Sequence, residues 1–170
     1  MNALDIELAL VDFFGSRKFV MVPNVSFGLG LNYEADLMVL TPTDFLYEVE
    51  IKVTKSDMKA DLKKHKAHSS IYVKRLYYAF PENLLNTALE ILPEEAGLFV
   101  AHTQNNGSVY VKLKRKPVDR KDCKPMPVIK QFQLARLGVL RMWVLKNMLY
   151  SKLPKQTLLN FRDSNVFKDL

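Results

Sequence analysis

Two apolar runs joined by a four-residue turn constrain this chain more than any other feature. Tyr33-Glu34-Ala35-Asp36-Leu37-Met38-Val39-Leu40 leads into Thr41-Pro42-Thr43-Asp44, and the run Phe45 to Val53 follows. Proline presets a turn dihedral and the Thr and Asp side chains bond local backbone, so an antiparallel hairpin is the simplest connection. With Pro42, Thr43 and Asp44 as its loop, Thr41 faces Phe45 and Asp36 faces Glu50. Directly opposed Cβ atoms lie roughly 4.5 to 5.5 Å apart, close enough for the two carboxylates to share a cation and repulsive without one. A register shifted by one residue would send them to opposite faces.

Strand parity sorts the second run. Phe45, Tyr47, Val49, Ile51 and Val53 share one face, expected to be core, while Leu46, Glu48, Glu50 and Lys52 share the other, expected to carry charge. Glu-x-Lys on a strand is by itself common on the solvated face of a half-exposed sheet. Asp36 is less ordinary, because it sits in an apolar strand where β-propensity and burial both disfavour Asp. Asp36 with Glu50-Ile51-Lys52 is therefore a candidate centre, in which two carboxylates and a lysine could hold a divalent metal and a water against a phosphodiester.

The rest of the chain reads as alternating elements. Ala3 to Phe14 is an expected helix stopped by Gly15, with Leu4, Leu8, Leu10, Val11 and Phe14 in its apolar arc and Asp5, Ala9 and Asp12 opposite. Glu7 falls inside the arc, where a carboxylate either finds a lysine or metal or reaches water at the edge. Phe19 to Val25 is strand-like and precedes the turn Gly28-Leu29-Gly30. After Lys52 a helix is expected from about Ser56 to Ser69. Lys55, Lys59, Lys63, Lys64 and Lys66 lie on or beside it, so it either tracks a phosphate backbone or is a solvated face with internal Asp-to-Lys pairs. Strands are expected at Arg75 to Phe80, Gly97 to His102 and Ser108 to Leu113, with a helix around Asn83 to Leu92. Lys112, Lys114, Arg115 and Lys116 then cluster as a phosphate contact or as charge protecting a sheet edge. Val128 to about Leu149 reads as the longest helix, with Ile129, Phe132, Leu140, Trp143 and Leu145 available for packing.

Charge is unevenly spread. Through Thr54 there are three basic and eight acidic residues, and from Lys55 onward twenty-two basic and ten acidic. An acidic segment beside a basic remainder suits a metal pocket next to a polyanion-binding surface, although basic chains also bind acidic proteins and anionic lipid. At 170 residues and 48% hydrophobic composition, one domain over residues 1–153 with an arm or tail over 154–170 is expected. No apolar run approaches a membrane span, Met1-Asn2-Ala3-Leu4-Asp5 lacks the basic start of a signal peptide, and Cys123 is the only cysteine. A cytoplasmic protein without a membrane partner is the expectation. His65, His68 and His102 lack a zinc-helix motif. Neither a Gly-rich phosphate loop ending in Gly-Lys-Ser/Thr nor a Gly-x-Ser-x-Gly elbow occurs, which sets aside NTPase and serine-hydrolase chemistry.

Asp36, then Glu50-Ile51-Lys52, then Ser56-Asp57-Met58-Lys59-Ala60-Asp61-Leu62-Lys63-Lys64 resembles the PD-(D/E)XK nuclease superfamily, and within it the MmcB-related DNA repair proteins of bacteria. Arg75-Leu76-Tyr77-Tyr78-Ala79-Phe80, the stretch Leu92 to Ala101, and Ala135 to Arg141 are similar too, so the resemblance covers roughly Tyr33 to Trp143. It implies an α/β, restriction-endonuclease-like fold, a mixed central β-sheet flanked by α-helices. It also implies that Asp36 and Glu50, with the carbonyl of Ile51, ligate Mg²⁺, for which Mn²⁺ could substitute. Lys52 would orient or activate the attacking water, and Glu7 would take the place of a helix acid. The implied partners are DNA, DNA repair proteins and, as in many nucleases of this superfamily, a second copy of the chain. One departure stands out: Glu34 occupies the position two before the metal Asp, where an Arg is common. The functional expectation is a Mg²⁺-dependent deoxyribonuclease in DNA repair, recombination or phage DNA processing, with a catalytically silent module binding DNA or a repair protein as the alternative. A basic scaffold for an acidic protein is a third reading.

Overall fold

In the computed structural model, residues 1–28, 31–62 and 70–152 are described. The elements run α1 (Ala3–Phe14), β1 (Val20–Gly28), β2 (Leu31–Leu40), β3 (Leu46–Ile51), α2 (Lys55–Leu62), β4 (Val73–Pro81), a 3₁₀ turn (Glu82–Leu84), α3 (Leu85–Ile91), β5 (Gly97–Thr103), β6 (Val109–Arg115) and α4 (Val128–Lys152). The six strands form one sheet in sequential order. β1, β2 and β3 are antiparallel, β3, β4 and β5 run parallel, and β6 returns antiparallel at the edge. The α/β, mixed-sheet architecture expected from the sequence is therefore the one observed.

The hairpin forms in the expected register: Leu37 pairs with Val49, Met38 with Glu48, Val39 with Tyr47 and Leu40 with Leu46. The Thr41 amide donates to the Phe45 carbonyl at 2.9 Å, and the Thr41 hydroxyl accepts from the Phe45 amide. Asp44 takes a positive φ of 66° to close the loop, a conformation that Asp tolerates better than most residues.

Helices cover both faces of the sheet. On one, α1 contributes Ile6, Ala9 and Leu10 to a core with Leu37, Val39, Val49, Ile51, Ala79 and Phe99. The other carries two separate clusters. One joins α4, through Leu134, to Val22, Val25, Met38, Leu40, Leu46 and Val73, and the other joins α2 and α3, through Met58, Leu84 and Ala88, to Tyr78, Phe80, Leu98 and Val100. Parallel strands need crossover connections, and α2 and α3 supply them on this same face.

Several expectations change. In α1 the buried stripe is Ile6, Ala9 and Leu10, whereas Leu4 and Leu8 are exposed, because the sheet lies along the Ile6–Leu10 side. On the charged face of β3 the solvated alternative fails: Glu48 is 0%, Glu50 3% and Lys52, one residue past the strand, 6% exposed. In α4, Ile129, Phe132, Leu140, Trp143 and Leu145 are exposed instead of packed, and only Leu134 is fully buried. The helix touches the edge strand β1 along one stripe, where Gly138 allows the approach; a Cβ there would lie 3.2 Å from Val22 Cγ2. Residues 154–170, Lys63, Lys64, His65, Lys66 and His68 lie outside the described residues.

Candidate metal and nucleic-acid site

The charged row of β3 lies in the seam between the two apolar clusters. Leu46 belongs to the α4 cluster, while Tyr78, the partner of Glu50 on β4, belongs to the α2 and α3 cluster. Glu48, Glu50 and Lys52 follow at every second position, so period-two geometry points all three side chains into this seam.

Asp36 joins them through a break in strand alternation. Val22 and Val25 on β1 share one cluster although they are three residues apart, and so do Ala35 and Met38 on β2. The break centres on Asn24, with φ of 48°, opposite Asp36 between the pairs Pro23–Leu37 and Val25–Ala35. Asp36 Oδ2 accepts the Ile51 amide hydrogen at 2.7 Å and lies 3.5 Å from Lys52 Nζ. Lys52 Nζ donates to Glu50 Oε2 at 2.6 Å. The structure thus brings together Asp36, Glu50 and Lys52, although the ladder ends at Leu37–Val49 and Asp36 takes the Ile51 amide with its side chain instead of pairing with Glu50.

Electrostatics at this point favour neutralising a charge or adding a cation. Burial pushes the Glu50 carboxyl up to about 8; the nearby Asp36 charge adds to this and Lys52 opposes it. Glu50 Oε1 is buried and, among the described residues, has no hydrogen-bond partner. An orphaned buried acceptor is uncommon and calls for an explanation. Glu7, half-buried on α1, also has a raised pKa, chiefly from burial and then from Asp36, with Arg141 acting the other way. Glu7 therefore stands in the same electrostatic environment as Asp36. Among the described residues no group of three His, Cys, Asp or Glu side chains converges as a ready-made metal cluster. The donor set is two carboxylates, one with a free buried oxygen. That suits Mg²⁺, which is commonly held by one or two carboxylates while keeping several waters.

Three further residues make polar contacts that the sequence does not reveal. Tyr33 donates to Glu48 Oε2 at 2.6 Å, and burial followed by the Glu48 charge drives its phenol well above the ordinary tyrosine range. Arg120 donates to the Ser70 carbonyl at 2.9 Å and forms an ion pair with Asp122. Arg141 of α4 donates to the Asn24 carbonyl, opposite Asp36. Its charge also acts on Glu7, against the effect of burial, and helical spacing in α4 gives no sign of it. Lys55 and Lys59 are exposed on α2, which starts three residues after Lys52. Arg115 in the basic cluster is structural, donating to the Ala96 and Pro93 carbonyls.

Residues 1–147 match a protein-family model described as DNA repair protein MmcB-like. Among solved structures, the SPO1766 protein of unknown function from Silicibacter pomeroyi is similar, with a TM-score of 0.61 at 17% identity over 98% of this chain and 97% of that one. At that identity the likeness concerns the fold. No curated protein matches the chain.

Proposed function

This chain belongs to the MmcB-like DNA repair protein family, and from that premise we propose that it is a metal-dependent nuclease of PD-(D/E)XK type that hydrolyses phosphodiester bonds in DNA. The observation that carries the reading is the buried Lys52–Glu50 pair beside Asp36, with Glu50 Oε1 left without a partner among the described residues. Enclosing the Glu50 carboxylate and the Lys52 ammonium, with Asp36 at their edge, is costly where apolar packing would serve the fold. A catalytic centre gives that cost a purpose.

Asp36 and Glu50 would hold Mg²⁺, with the Ile51 carbonyl as the third protein donor implied by the family resemblance and Mn²⁺ as a substitute. The bound ion would supply Lewis-acid polarisation of the phosphate and a more acidic water. Lys52 is fixed by both carboxylates, so its ammonium would orient the attacking water and offset charge gathering on the phosphate oxygens. Glu7, whose carboxyl is raised chiefly by burial and then by the Asp36 charge, would accept or return a proton at the edge of the site. Lys55 and Lys59 would hold the DNA backbone as it enters, a role the lysine-rich sequence also offers Lys63 and Lys64. A repair protein or a second copy of the chain completes the proposed partners, and the apolar residues that α4 exposes would suit either.

Cleavage of single-stranded, duplex, flapped and branched DNA in Mg²⁺, Mn²⁺ and EDTA tests the reading. Wild type should cut only with metal, and Glu50→Ala should lose at least a hundredfold in rate. Undiminished cleavage by Glu50→Ala would overturn it. Tight DNA binding with no metal-dependent cleavage by wild type would instead establish the silent binding module.

A further inference from the structure

Parallel strands β3, β4 and β5 present their carboxyl ends at one edge of the sheet, and the carboxylate centre occupies only the β3 end of it. At the β4 and β5 ends lies a second cleft, lined by Glu82, Leu85, Val100, His102, Lys112, Leu113 and Lys114. Such carboxyl-end crevices are where open α/β sheets bind ligands.

Register relates the two places. Ile51 pairs with Ala79, which carries Lys52 into line with Phe80; Phe80 pairs with Val100, and Val100 with Lys112. Residues paired across a sheet share a face, so Lys112 projects from the same face as Glu50 and Lys52. Three interstrand spacings separate Lys112 from Lys52, about 14 Å. That is the rise of about four nucleotides along a DNA strand.

The chemistry of the cleft suits an anion. Lys112 and Lys114 are exposed, and among the described residues neither has a carboxylate within salt-bridge distance. Glu82, the one acid in the lining, is engaged by His102 Nδ1 at 3.1 Å. The His102 ring is stacked on Tyr110 with centroids 5.3 Å apart, and Lys112 Nζ lies 5.4 Å from the centre of the same Tyr110 ring. These contacts hold one imidazole and one ammonium at the mouth in fixed positions.

We infer that this cleft is a second phosphate subsite, in which Lys112 and Lys114 grip the DNA strand about four nucleotides from the carboxylate centre. The inference rests on the nucleic-acid reading above and adds to it where the strand runs: from α2 across the carboxyl ends of β3, β4 and β5 to the edge strand β6. Charge on an edge strand also discourages edge-to-edge pairing, and a charge-reversal variant keeps that role while removing phosphate affinity.

Fluorescence anisotropy with a labelled 20-nucleotide duplex in EDTA separates the possibilities, because it reads binding without cleavage. The variant Lys112→Glu/Lys114→Glu should bind at least tenfold more weakly at 100 mM salt. Its slope of log affinity against log salt should be shallower by about two. Its thermal melt should match wild type, since both residues are exposed. Unchanged affinity and slope in the double variant, with wild type binding and cutting normally, would overturn the subsite alone. No DNA binding by wild type would overturn the subsite and the nuclease reading together.

Discussion

The two faces of β3 are built on opposite principles. Toward α1, Val49 and Ile51 pack with Leu10, Leu37, Ala79 and Phe99 in an apolar layer. Toward the seam, Glu48, Glu50 and Lys52 are just as buried but charged, and they depend on Tyr33, Asp36 and each other. Apolar burial contributes about 25 cal/mol per Å² and depends little on orientation, so the first face is a source of stability. Buried charges in the second offset one another only in a particular geometry. It lowers stability locally and holds reactive groups in place.

Substitutions that break one face at a time should expose the difference. The largest loss of stability is expected for Phe99→Ala, which removes a ring that stacks on Tyr77 and meets Phe13 and Phe14 edge-on. It should cost about 4 kcal/mol in urea unfolding, at every pH. Lys52→Met should cost about 3 kcal/mol at pH 9, where it strands two carboxylates, and clearly less at pH 6, where Glu50 can take up a proton. A loss independent of pH would mean that Lys52 acts through packing alone.

Glu50→Gln sharpens the contrast further. The folded protein holds the Glu50 proton more tightly than the unfolded chain, whose carboxyl titrates near 4.5, so this group lowers stability as pH rises from about 4.5 toward 8. The variant should lack that decline. Mg²⁺ should raise the wild-type melting temperature at pH 8, and the rise should vanish in the variant; a rise that persists would place the ion elsewhere. Tyr33→Phe, which removes the phenol donor to Glu48, should cost about 1 kcal/mol. The smallest effect is expected for Asp119→Asn, at the surface ion pair with Arg75, where solvent screening should hold the change in melting free energy to about 0.5 kcal/mol or less.

The hairpin and its register were legible because two local signals agree. The Thr-Pro-Thr-Asp loop fixes where the chain turns, and period-two alternation fixes which residues face each other, so Asp36 and Glu50 could be brought together from residue types alone. Burial of the charged row was not legible. Parity assigns a side chain to a face but does not say what covers that face, and here the flanking clusters are built by α2, α3 and α4, the last of which arrives some eighty residues later. The same blindness made the apolar positions of α4 look like core, since periodicity shows that a helix could pack without showing how much surface it meets. Asn24 left a faint trace, as a residue type tolerant of positive φ in a strand. Arg141 left none.

By itself the sequence determined the element order, the hairpin, the opposition of Asp36 to Glu50 and the basic character of everything after Thr54, because these follow from short-range geometry and composition. Only the tertiary structure decided that Glu48, Glu50 and Lys52 lie in a buried seam and that Glu50 keeps an oxygen unsatisfied among the described residues. It also decided that Glu7 and Arg141 meet the site from different helices, and that Lys112 stands in line with Lys52 across the sheet. Solvent exclusion and the electrostatics that depend on it are set by which distant segments pack together, and no local pattern carries that information.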